Sequence, residues 1–182
     1  MTTVAEPYVD IAVTRPLRVG LQLATGEWMD LTAGDAGPER TVRIQAVDLR
    51  SACQHSSALR EEATGPDEGA ISVLVDIEVM IDEDARSARE ALDRLNDGRP
   101  TPDHRSLMYV GTAKGLAGLI ADMHVLRIAD GVTLVPLTVR VLERIVHDAL
   151  PALRTMGFDA AAGTIDVVRG SLPAQRVTQR SA

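Results

Sequence analysis

Asp76 and Glu78 stand one residue apart in an otherwise apolar run, and their type and spacing come closest in this sequence to acid/base chemistry. Over residues 71–81 the alternation places Val73, Val75, Ile77, Val79 and Ile81 on one face of a strand and Ser72, Leu74, Asp76, Glu78 and Met80 on the other. If that second face lines a closed interior, burial raises the carboxyl pKa values and the two make an acid/base pair. If the interior is only half enclosed, they are solvated. Gly111-Thr112 before a helix can offer amide groups to a phosphate, while its plainer role is an N-cap. His55, His104, His124 and His147 have no metal-ligand spacing, which argues against a metal site. Cys53, the single cysteine, shares an apolar helical face with Leu49, Ala52 and Leu59 and reads as an inert core thiol. The sequence carries no glycine-rich phosphate loop, nucleophile elbow or Cys-X-X-Cys.

The elements that must position these residues read as an α/β chain. Leu17, Val19, Leu21 and Leu23 alternate as a half-buried strand, and residues 26–40 read as a loop with at most one helical turn around Trp28 to Leu31. A second strand spans 41–47, and Asp48 caps a helix over 49–63. After the strand at 71–81, Asp82 caps a helix with stripe Ala85, Ala88, Leu92 and Leu95, ended by Asn96-Asp97-Gly98. Residues 101–105 form a polar linker. A short extended segment, Tyr109 to Thr112, then opens a helix carrying Leu116, Leu119, Ile120 and Met123. Val132 to Leu137 is an all-apolar strand, and Leu142, Ile145, Val146, Ala149, Leu150 and Leu153 mark one more helix. An all-apolar strand needs cover on both faces, so the expectation is a parallel sheet of about four strands with helices outside.

Composition narrows the classes. At 182 residues, with 45% hydrophobic and 25% charged residues, the chain fits one globular domain. Residues 1–14 read as a lead-in, within which 8–13 can form a short strand, 15–158 as the α/β domain, and 159–182 as an extended tail. A net charge of -7 with one lysine, Lys114, argues against nucleic-acid binding, and 2% aromatic content argues against a base-stacking surface. No window is apolar enough for a membrane span and the start lacks a secretory pattern, so the expectation is no membrane and a cytoplasmic protein.

Three stretches resemble the C-terminal part of luciferase-like flavin-dependent monooxygenases. They are Tyr109-Val110-Gly111-Thr112 followed by Leu116-Ala117 and Leu119-Ile120, then Ala129-Asp130-Gly131-Val132-Thr133-Leu134 with Pro136, then Leu150-Pro151-Ala152-Leu153 with Gly157. Gly163-Thr164-Ile165 and Leu172-Pro173 resemble the tail of the nitrilotriacetate and dibenzothiophene-sulfone monooxygenase branch. The likeness covers residues 15–173 and is best from Ile71 onward; Ala113 and Lys114 stand where the family wording has Pro and an acid.

The resemblance implies a partial (β/α) TIM-type barrel, with Leu17, Val42, Val75 and Leu134 marking its last four β-α units and the first four absent. It implies FMN or reduced FMN, or a deazaflavin, as cofactor, with a flavin reductase as a partner. Barrel logic places functional groups just after the strands, at Thr25, Gly26, Asp48 and Thr138, with Asp82 and Leu137 in equivalent positions, although capping alone accounts for Asp48, Asp82 and Thr138. Thr112 falls on the side away from the barrel mouth. Half a barrel exposes strand edges, so the chain is expected to self-associate or to meet a partner chain supplying the missing strands. The alternative is a non-catalytic α/β remnant or binding module without flavin chemistry.

Overall fold

Strand β4 (Ile71–Asp82) is the longest element of the sheet, and its two edges organise the rest. The computed structural model describes residues 16–32, 40–63, 71–99 and 106–158; the lead-in, the 101–105 linker and the tail fall outside these residues. One edge of β4 carries β6 (Gly131–Pro136) in parallel. The other edge is shared: β3 (Arg40–Ile44) pairs along residues 71–75 and β5 (Leu107–Thr112) along 77–82, both parallel. Asp76 lies at the junction between them. Strand β1 (Arg18–Gln22) joins β6 in parallel, and β2 (Trp28–Asp30) pairs antiparallel to β1. The result is an α/β fold with a mixed, curled half-barrel sheet in the order β2-β1-β6-β4-β3, with β5 beside β4.

Several expectations need correction. The sheet is not wholly parallel, because residues 28–30 form a strand rather than a helical turn. Gly26 adopts φ 88°, a left-handed conformation open to glycine, which folds the chain back so that the Leu23 amide donates to the Glu27 carbonyl at 2.8 Å. Strands β3 and β4 are neighbours in chain order, as successive β/α units should be, but β5, which follows β4 in the chain, shares the β3 edge of β4 instead of standing between β4 and β6. Strand β1 does not continue that series beside β3 but lies beyond β6. Tyr109 to Thr112 belongs to a full strand, β5.

Among the described residues five α-helices follow the strands: α1 (Leu49–Glu62), α2 (Ala85–Leu95), α3 (Ala113–Val125), α4 (Val139–Arg144) and α5 (Leu150–Thr155). Asp48 caps α1 as expected, its carboxylate accepting from the Ser51 amide at 2.7 Å. The cap of α2 is Asp84, not Asp82: β4 keeps its pairing with β5 through Asp82↔Thr112, so the helix starts two residues later. The last helical stripe is not one α-helix, because a π-turn, Ile145–Ala149, interrupts it and the Leu150 amide reaches back to the Ile145 carbonyl. Pro151 supplies the cause. Its nitrogen has no proton for the His147 carbonyl and its ring crowds that carbonyl, so the ladder widens by one residue.

The apolar face of the sheet, with Val19, Leu21, Val75, Ile77, Val79, Ile81, Val132 and Leu134, shares one core with Ala88, Leu116, Ile120, Ile145 and Leu150 from the helices. At the amino ends of the strands Asp130 ties four elements together. Its carboxylate accepts the Val73 amide at 2.8 Å and pairs with Arg60 of α1 at 3.2 Å, while its carbonyl accepts the Arg18 amide at 3.1 Å. Among the described residues no helix is long and apolar enough to cross a membrane.

Candidate functional site on the inner sheet face

Strand alternation sends a different set of side chains to the opposite face: Arg18, Gly20 and Gln22 of β1, Thr133 and Val135 of β6, Leu74, Asp76 and Glu78 of β4, and Arg43 of β3. Asp76 is 6% exposed. It grips Arg43 bidentately, with Nε to Oδ1 and Nη2 to Oδ2 both at 3.0 Å, and Arg43 Nη1 donates to Gln22 Oε1 at 2.6 Å. That last bond measures the curl. In a flat sheet β1 and β3, with β6 and β4 between them, stand roughly 14 Å apart, so the inner face is concave and long side chains bridge it.

Glu78 leaves this network and accepts from the Ser106 hydroxyl at 2.7 Å. Against the expectation of a solvated face Asp76 is buried, and the two carboxylates take different partners, Arg43 for Asp76 and Ser106 for Glu78. Burial drives Asp76 to take Arg43, and each carboxylate has its own partner. Beside them, the Trp28 indole donates to Thr133 Oγ1 at 3.3 Å, and it lies so close over Gly20 that a Cβ there would sit 2.5 Å from Nε1.

Asp30, on the same rim, pairs with Arg18 and accepts the Thr32 amide and hydroxyl, each at 2.9 Å. Burial pushes its carboxyl up, but the Arg18 guanidinium and the Thr32 donors outweigh this and hold it below the usual carboxylate range. A depressed folded-state pKa contributes stability above the unfolded value, and that stability is lost as pH falls through the folded one. Asp30→Asn is therefore expected to flatten the fall in urea midpoint below about pH 4. An unchanged slope relative to the parent protein would remove Asp30 from the acid response.

A second feature lies at the carboxyl ends of β4 and β5. A cleft of about 330 Å³ is lined by Asp82, Thr112, Lys114, Arg144, Asp148 and Met156, among others. Arg144 is its hub, with Nη2 2.8 Å from Asp82 and 3.3 Å from Glu83, and Nη1 3.5 Å from Asp148 on the π-turn. Thr112 was expected away from the strand mouth. It pairs in register with Asp82 and so stands at the carboxyl end, where its hydroxyl accepts the Gly115 amide at 3.1 Å as an N-cap.

Of the sites expected after strands, Thr25 and Gly26 shape the β1–β2 hairpin, Asp48 caps α1, and Thr138 caps α4 by accepting the Val141 amide at 3.2 Å. None of these four lines the cleft. Cys53 is half-buried rather than a core thiol. His55 and His147 are exposed, His124 meets Phe158 edge-on at 5.8 Å, and His104 lies outside the described residues. Among the described residues no group of three His, Cys, Asp or Glu is placed to hold a metal ion.

Arg43, Gln22 and Trp28 are the site residues that sequence reasoning missed. The one available signal was the alternation of β1, which puts Gln22 opposite the apolar stripe. No family model matches this chain, and neither does any curated protein.

Proposed function

We propose that this chain is a luciferase-like flavin oxidoreductase half-barrel that binds FMN or a deazaflavin once a second copy or another chain extends its sheet. The observation carrying this reading is the strand arrangement. Strands β3, β4, β6 and β1 lie side by side in parallel in a curled sheet with helices packed on its apolar face, as a segment of a barrel wall would, although β5 intervenes between β4 and β6 in the chain and pairs beside β3 on the far edge of β4. The concave face so formed carries Gln22, Arg43 and Asp76, a set of donors and acceptors that suits a flat, hydrogen-bonding ring system. Bound there, the flavin would supply the redox chemistry. The chain's own residues would orient the ring and exclude water.

A second reading, a binding module without flavin chemistry, is favoured by one observation: Arg43 with Asp76, Arg18 with Asp30, and Trp28 with Thr133 are already paired to one another. The outer side of β1 is also occupied by antiparallel β2, so a continuous parallel barrel requires that hairpin to move. Solution mass combined with equilibrium dialysis against oxidised and reduced FMN separates the two. Saturable micromolar retention by a dimer or larger species supports the flavin reading, and a monomer retaining no flavin leaves the binding module.

A further inference from the structure

We infer that Arg43, Gln22 and Trp28 form a stacking strip for a planar heteroaromatic ring on the concave sheet face; this rests on the flavin reading and assigns the residues that would hold the ring. Arg43 donates three in-plane bonds, two to Asp76 and one to Gln22, so the guanidinium plane is locked. About a third of that side chain, 32%, is exposed, whereas the Asp76 beneath it is 9% exposed. A buried carboxylate thus presents a flat cation at the surface of the concavity. Gln22 is held at both ends, its Oε1 by Arg43 and its Nε2 by the Glu27 carbonyl at 3.2 Å.

Trp28 is the cross-strand partner of Gln22, and its indole is anchored through Thr133 over the bare Cα of Gly20. Guanidinium, carboxamide and indole therefore follow one another on a single face, each oriented by hydrogen bonds made at the edge of its plane. Stacking on such groups recognises any flat ring and favours an electron-poor one over an electron-rich indole.

The test uses the full chain, with oxidised FMN and riboflavin as probes. Riboflavin carries the same ring without the phosphate. Equilibrium dialysis reads binding, and flavin emission at saturation reads contact with indole, which quenches a flavin by electron transfer at van der Waals distance. Trp28 is the only tryptophan, so quenching by indole has one source. Both probes are expected to bind and to lose most of their emission; Trp28→Leu should restore the emission of bound flavin. Arg43→Lys, which keeps the charge but not the plane, should weaken both probes about tenfold. Thermal melts of each variant show that the fold is retained, and the two substitutions report independently should one of them unfold.

Flavin that is retained but stays bright in the parent protein, or Arg43→Lys binding as the parent does, overturns the strip and leaves the flavin reading standing. No retention of either probe by any assembled form overturns both.

Discussion

Replacing Gly131 with alanine is expected to abolish stable folding, whereas the same substitution at Gly118 should raise the melting temperature. Gly131 begins β6 and is paired on one side with Arg18 and on the other with Leu74. A Cβ at Gly131 would lie 1.9 Å from the Arg18 carbonyl oxygen and 2.6 Å from its carbon, both main-chain atoms in a paired strand. No rotamer change relieves that overlap, so β1 must separate from β6. Separation would also break the Arg18 amide bond to the Asp130 carbonyl. A loss above about 3 kcal/mol follows from forced backbone displacement at a buried site. Gly118 lies within α3, and a Cβ there meets nothing within 4 Å. Alanine is expected to add about 1 kcal/mol at that position through helix propensity alone. Urea denaturation of both variants checks the pair, and a folded Gly131→Ala protein with near-parental stability would show that β1 does not pack against β6 as described.

The same close approach shows what was legible in the sequence and what was not. Asp130-Gly131 was recognisable as a helix stop and strand entry, but the need for glycine comes from β1, a strand more than a hundred residues away in the chain, and no local pattern reports that neighbour. Local periodicity did identify β4, the shared face of Asp76 and Glu78, and the caps at Asp48, Thr112 and Thr138, because each depends on residues within one turn or one strand. It failed where competition between elements decides the outcome. Asp82 and Asp84 are equally good caps by type, and pairing with β5 held Asp82 in the strand. Strand β2 is only three residues long, below the length at which alternation shows, and its signal was the turn at Gly26. The π-turn could have been suspected from Pro151 within a helical stripe. Gln22 and Arg43 meet only because the sheet curls, so the central part of the candidate site could not be read from either strand alone.

That clamp sets the second large expected effect. Asp76→Ala should lower unfolding stability by about 2 kcal/mol, since it strips two charge-assisted bonds from a guanidinium that can turn partly toward water. Arg43→Ala should cost more, about 3 kcal/mol, because it strands the more deeply buried partner: Asp76 retains 9% side-chain exposure against 32% for Arg43. The double variant is expected to fall short of the sum by about 1–2 kcal/mol, the coupling typical of residues in direct contact. A cycle built from urea midpoints at constant slope measures all three quantities. Coupling under about 0.5 kcal/mol would mean that water screens the pair as it screens surface ion pairs, and the guanidinium plane would then not be held. The order of the two single variants carries separate information. If Asp76→Ala proves the more damaging, Asp76 is needed chiefly where β3 gives way to β5 along β4, rather than as the counter-charge beneath Arg43.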